Sequence, residues 1–166
     1  MQDYPQEARE DPRTLWEAAM DAKYAVVAHG LAETYYASKN KLIVFAQVLL
    51  TSGMVAGAAR HDAEMSFSVG VCLAIVSAYQ QASKPLAESA KHGTAREKFS
   101  QLVARISKSP LSIEVIDEQL ATLGAKAPPI PRAIQFAAYN DNLRTNGRPD
   151  GILKEALLTR LVRFMA

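Results

Sequence analysis

LIVFAQVLLTSGMVAGAA (residues 42–59) and MSFSVGVCLAIVSAYQQAS (residues 65–83) are two stretches of 18 and 19 residues without a formal charge. As helices they would extend about 27 to 29 Å, close to the roughly 30 Å of a bilayer's hydrocarbon core. A buried helix of a small soluble protein normally keeps a charged face toward water, and these stretches have none. They therefore predict two membrane-spanning helices; the alternative is a soluble helical bundle with unusually apolar core helices.

The connection between the two stretches, residues 60–64 (RHDAE), is short enough to force two helices into an antiparallel hairpin. This loop contains one basic residue, Arg60, and two acidic residues, Asp62 and Glu64. Basic residues instead flank the other ends of both stretches: Lys39, Lys41, Lys84, Lys91, Arg96 and Lys98. By the positive-inside rule, we expect a multi-pass protein of the cell inner membrane with both termini in the cytoplasm.

The rest of the chain also has helical patterns, so the predicted fold class is all-α. We expect a two-transmembrane helical hairpin whose long helices extend into a cytosolic helical bundle. The predicted parts are an N-terminal cytosolic helix (residues 1–41), the hairpin (42–83, with spans 42–59 and 65–83) and a C-terminal cytosolic helical region (84–166). Asp11 before Pro12 indicates a helix start, so one helix could run from Pro12 to Ala59. Pro85 could kink the helix that follows the second span and returns alongside the first.

Composition excludes several functional classes. A net charge of +2 is too weak for nucleic-acid binding by the whole chain, and the single Cys72 excludes an internal disulfide. His29, His61 and His92 are far apart in sequence, without carboxylates at metal-ligand spacing. The sequence contains no phosphate loop and no nucleophile motif. We therefore expect no enzyme, no metal site and no cofactor.

Uncharged polar residues within the first span are candidates for lining a pore: Gln47, Thr51 and Ser52. Gln47 and Thr51 are four residues apart and share a helix face. An amide is costly in lipid, so these side chains either hydrogen-bond to a neighbouring helix or face water. A water-filled path would need several copies of a two-span protein.

Small residues recur at four-residue steps in both spans and predict close helix packing. The first span contains Gly53 and Gly57 as a GxxxG motif. The second contains a longer ladder: Ser66, Gly70, Ala74, Ala78 and Ala82. The packing could occur within one hairpin or between subunits.

The C-terminal quarter is the basic part of the chain. Residues 126–166 contain 7 basic and 3 acidic groups, against 12 and 14 in residues 1–125. Because guanidinium and ammonium groups match phosphate oxygens, six of these residues are candidate phosphate ligands. They are Arg132, Arg144, Arg148, Lys154, Arg160 and Arg163. Ordinary solubility or contact with anionic lipid would explain the same charges.

The arrangement resembles the SLATT family, two-transmembrane effectors associated with SMODS and SLOG nucleotide-signalling systems. The resemblance covers about residues 12–145. It rests on a long polar helix before the first span, the very short loop, AKHGTAREKFSQLVARI (residues 90–106) and LATLGAKAPPIPRAIQFAAYN (residues 120–140).

This resemblance implies a homo-oligomeric membrane pore or ion channel, with a tetramer favoured, that acts in bacterial antiviral defence. A nucleotide or oligonucleotide from a partner nucleotidyltransferase would gate it, and opening would depolarise the membrane and cause growth arrest or death. The alternative function is a non-conducting oligomeric membrane scaffold that anchors a cytosolic partner.

Overall fold

The computed structural model describes residues 13–109 and 111–166. Its elements are all helical, which confirms the predicted all-α class for this part of the chain. The helices are α1 (Leu15–Ala59), α2 (Ala63–Ser83), α3 (Pro85–Lys108), α4 (Ile113–Lys126), α5 (Arg132–Thr145) and α6 (Leu157–Met165), with a short 3-10 turn (Pro149–Gly151) before α6.

The start of α1 differs from the sequence prediction. Asp11 and Pro12 lie outside the described residues, and α1 begins at Leu15 with Thr14 as its N-cap. The Thr14 hydroxyl accepts from the backbone N–H of Glu17 (3.2 Å), and the Glu17 carboxylate accepts from the backbone N–H of Thr14 (2.7 Å). This capping box satisfies two backbone donors at once, which explains a start later than the proline alone suggests.

Helices α1 and α2 form an antiparallel pair joined by a tight turn. His61 adopts a left-handed conformation (φ 55°), and Asp62 caps α2 by accepting the backbone N–H of Met65 (2.9 Å). At the other end of α2 the helix is interrupted at Lys84, also left-handed, and Pro85 opens α3. The predicted irregularity near Pro85 is therefore a break between two helices at the preceding residue.

The contact between α1 and α2 follows steps of three and four residues. The less exposed positions include Ile43, Ala46, Leu50, Gly53 and Gly57 on α1. On α2 they include Ser66, Val69, Leu73, Val76 and Gln80. This 3.5-residue period is that of helices that cross at a shallow left-handed angle.

The helices that include the two charge-free stretches are long and apolar enough to cross a membrane. Within their most apolar 18-residue windows, 11% and 0% of residues are buried inside the chain. Large apolar side chains such as Phe45, Phe67 and Ile75 are more than half exposed. A core helix of a soluble bundle would instead be mostly buried.

The first half of α1 is the centre of a helical bundle. α3 packs antiparallel to it, and α4, α5 and α6 surround it further. The buried positions on this half of α1 are mostly alanine, including Ala18, Ala22, Ala28 and Ala32, so neighbouring helices approach closely. The predicted boundary at residue 41 falls inside α1, whose first half thus packs with the C-terminal region.

Candidate functional site

An amide and hydroxyl network crosses between α1 and α2 at the end of the hairpin next to the bundle. The Gln47 amide donates to the Gln80 side-chain oxygen (2.9 Å) and to the Ser77 hydroxyl (3.2 Å). The Gln80 amide in turn donates to the Asn40 side-chain oxygen (3.2 Å). The Gln47 side chain therefore has interhelical partners within a single chain, one of the two arrangements expected from the sequence.

Thr51 and Ser52 have a different environment from Gln47. Both are exposed, and their hydroxyls donate to backbone oxygens one turn earlier in α1, Gln47 (2.8 Å) and Val48 (2.9 Å). Such bonds satisfy the hydroxyl proton and leave acceptor lone pairs free. The structure thus divides the predicted pore-lining residues: Gln47 contacts α2, whereas Thr51 and Ser52 lie on the outward face of the hairpin.

The predicted small-residue positions also divide between two faces. Gly53 faces Val69, Gly57 is buried against Ser66, and Gly70 faces Met54, all within the hairpin. The later ladder residues Ala74, Ala78 and Ala82 are exposed. Four-residue steps advance by about 40° more than one full helical turn, so an i+4 ladder gradually leaves a seam of period 3.5.

A buried histidine pair joins α1 to α3 close to the hairpin. The Nδ1 atoms of His29 and His92 are 2.9 Å apart, and the side chains are 3% and 0% exposed. Phe99 stacks on His29 and Tyr36 stacks on His92, with ring centroids 5.4 and 5.5 Å apart. Because a neutral imidazole has one donor and one acceptor nitrogen, this contact requires at least one neutral ring.

The surroundings of this histidine pair favour the neutral forms. Burial, and then the proximity of His92, lower the pKa of His29 from 6.5 to about 4. Burial also lowers the pKa of His92, although the charges of Glu88 and Glu33 act in the opposite direction. Glu33 is itself paired with Arg96 at 3.2 Å. The His29 imidazole in this interface therefore stays neutral at pH values between about 4 and 6.5, where a free histidine would be protonated.

His29 and His92 are far apart in sequence, but the fold brings their side chains into contact. Both residues lie about equally far from the turn at residues 60–62, so an antiparallel return of the chain brings them together. The predicted antiparallel hairpin already implied that residues at equal distances from the turn approach each other. What the sequence alone lacked was the register of α3 against α1.

The six predicted phosphate ligands do not form one cluster. Arg163 pairs with Asp141 (2.6 Å) and Glu155 (2.7 Å), and Arg144 pairs with the same two carboxylates at 3.1 and 3.8 Å. These two guanidinium groups tie α6 and its preceding segment to α5. Their charges are already compensated by protein carboxylates.

The other four basic residues pair with neither of these carboxylates within residues 13–109 and 111–166. Arg132 lies over the Phe136 ring and is separated from Arg144 by about 18 Å along α5. Arg148 lies over the Trp16 ring at 5.2 Å. Lys154 and Arg160 are exposed. Arg132 and Arg144 are therefore too far apart along α5 to contact one phosphate group together.

Comparison with protein-family models, with curated proteins and with solved structures finds no match for this chain. The fold and site together describe an all-helical protein with two helices long and apolar enough to span a membrane.

Proposed function

We propose that the chain is a two-span inner-membrane protein whose copies assemble into a pore or ion channel. The observation that carries this proposal is the exposed outward face of α1 and α2, which holds apolar residues together with the polar Thr51 and Ser52. Lipid accounts for the apolar part of that face. A neighbouring subunit or a water-filled path would account for the hydroxyls.

Assembly follows from the size of the hairpin, because two helices cannot enclose a conduit. The outward small residues Ala74, Ala78 and Ala82 provide a surface on which a second copy can pack closely. A tetramer would place eight spans around the axis, as the resemblance to the SLATT family suggests. Closed cyclic symmetry is the common form of such assemblies.

Control by a cytosolic signal completes the proposal. α1 is continuous from the bundle to the hairpin turn, a length of about 68 Å, so a movement in the bundle can change the spans. A nucleotide or oligonucleotide from a partner nucleotidyltransferase would open or close the pore according to the state it binds more tightly. The SLATT resemblance supports a role in antiviral defence, in which opening depolarises the membrane and stops growth.

Ion flux from liposomes tests the pore directly. We expect purified protein to release trapped ions, and the double variant Thr51→Leu/Ser52→Leu to reduce this flux about tenfold, because leucine narrows and dries a water path. The control Leu42→Val/Leu49→Val changes two exposed apolar residues of α1 that lie about half a turn around the helix from Thr51. Equal flux from both double variants, at equal oligomer size, would remove Thr51 and Ser52 from the pore.

The alternative proposal is a non-conducting scaffold, and the C-terminal helix favours it. Leu157, Leu161 and Phe164 are 83%, 56% and 88% exposed and share one face of α6. A cytosolic partner could cover this face. Protein that inserts and assembles but releases no more ions than empty liposomes, with and without nucleotide, would support the scaffold.

A further inference from the structure

A groove of about 540 Å³ lies between residues 88–99 of α3 and the end of α4, next to the Pro128–Pro129 segment. This volume is typical of sites for small organic ligands. Three lysines form its rim: Lys91 and Lys98 from α3, and Lys126 from the last turn of α4. None of the predicted phosphate ligands contributes to it.

The rim of the groove has an excess of positive charge. Lys91 is paired with Glu88 at 2.6 Å. Lys98 and Lys126 are exposed and have no ion pair within residues 13–109 and 111–166. Two ammonium groups on facing helices are therefore uncompensated, in contrast to Arg144 and Arg163 in the C-terminal region. Such a pair attracts an anion, and lysine is a common phosphate ligand.

The floor of the groove is apolar. Ala95 and Phe99 from α3 lie opposite Leu123 from α4, and the two prolines extend this surface. A simple inorganic anion would leave the floor unused. A ligand with a phosphate group and an apolar or aromatic portion would use both the rim and the floor.

We infer that the α3–α4 groove binds a phosphate-bearing anion that also has an apolar portion. The ligand is either a soluble nucleotide-like molecule or the headgroup region of an anionic lipid, since Lys91 is only about 9 Å along α3 from Pro85 at the end of the hairpin. Phe99 connects the groove to α1 because it also stacks on His29. A regulatory effect of this binding rests on the proposed function; the binding itself does not.

Binding is measured with trinitrophenyl-ATP, whose fluorescence rises against apolar side chains, using the full chain in nanodiscs of phosphatidylcholine. We expect saturable binding that Lys98→Gln/Lys126→Gln weakens about tenfold, because two charge-assisted contacts are lost. The control Lys41→Gln/Lys108→Gln removes the same charge from two exposed lysines outside the groove. It should leave the affinity within about twofold.

Competition identifies the source of the phosphate. Displacement of the probe by ATP or pyrophosphate in phosphatidylcholine nanodiscs indicates a soluble ligand. Loss of probe binding only when phosphatidylglycerol is added to the nanodisc indicates a lipid. No saturable binding, or equal weakening by both double variants, would overturn the inference.

The binding experiment and the flux experiment can each overturn one proposal without the other. Flux without saturable binding of the probe would overturn the groove proposal alone. Saturable, lysine-dependent binding by a protein that releases no ions would overturn the proposed pore and leave the groove as a binding site.

Discussion

Gly57 marks a close approach of α1 to α2 near the hairpin turn. A Cβ atom at this position would lie 2.7 Å from the Ser66 hydroxyl and 3.2 Å from the Ser66 backbone nitrogen. At Gly53, the other half of the GxxxG motif, the nearest atom would be a Val69 methyl at 3.6 Å, an ordinary contact distance. The two glycines therefore have unequal structural importance.

We predict that Gly57→Ala destabilises the hairpin by about 1–2 kcal/mol, because the backbone of α2 must move to accept the methyl group. Gly53→Ala should be neutral or stabilising by up to about 1 kcal/mol, because alanine is the better helix former and has room. Thermal unfolding in detergent, followed by circular dichroism, compares the two variants. Equal melting temperatures would contradict this account of the turn.

Single residues show where sequence reasoning reached its limit. The sequence identified Gly53 and Gly57 as packing residues, and both lie in the hairpin contact. The sequence could not show which of the two glycines tolerates a larger side chain, because that depends on the atoms of α2 that lie opposite each glycine. For the same reason it treated Gln47 and Thr51 as one group, although one side chain contacts α2 and the other is exposed.

At the scale of elements, the contact between α1 and α3 links the hairpin to the bundle. The His29–His92 pair lies at its centre, and the Ser89 hydroxyl donates to the backbone oxygen of Glu33 (2.9 Å) on the same side. Protonation of both histidines would place two positive charges 2.9 Å apart in a buried site. This interface should therefore weaken in acid.

The sign of the pH effect follows from the lowered pKa of His29. Below pH 6.5 His29 binds a proton in the unfolded chain, but in the folded protein it does so only near pH 4. The free energy of unfolding is therefore highest above pH 6.5 and decreases as the pH falls toward 4. We predict a loss of about 2 kcal/mol at pH 5 from His29. Melting temperatures between pH 7.5 and 5 measure this loss.

His29→Gln should remove much of this pH dependence, because glutamine does not titrate. His61→Gln, which changes the exposed histidine of the turn, serves as the matched control and should keep the wild-type pH dependence. The same acid sensitivity in His29→Gln as in the wild type would show that other groups are responsible.

At the helix level, the sequence predicts the all-helical class correctly, whereas the start of α1 and the register between helices depend on contacts that the sequence does not show. The five-residue loop and the charge-free stretches predict an antiparallel hairpin, and the structure has two long apolar helices in this part of the chain. The small-residue ladder of α2 was expected to act as one face, but a seam with a 3.5-residue period turns Ala74, Ala78 and Ala82 outward. Whether these alanines contact α1 or face outward depends on the angle at which the two helices cross.

At the scale of the whole molecule, the chain combines a well-packed bundle with an apolar hairpin that buries little within the chain. The bundle has its own core, in which Ala32, Ile134 and Val162 meet. The windows of α1 and α2 are 11% and 0% buried. Membrane insertion is the proposal that covers the exposed apolar surface of the hairpin and keeps the basic flanks in the cytoplasm.

The most direct test of the central claim is the labelling of single cysteines by a membrane-impermeant maleimide in spheroplasts, with Cys72→Ser as background. His61→Cys reports on the hairpin turn and Lys108→Cys on the far end of α3. The account predicts that only His61→Cys is labelled in intact spheroplasts and that Lys108→Cys reacts after lysis. Labelling of both positions from the outside, or recovery of the protein in the soluble fraction, would contradict the two-span hairpin.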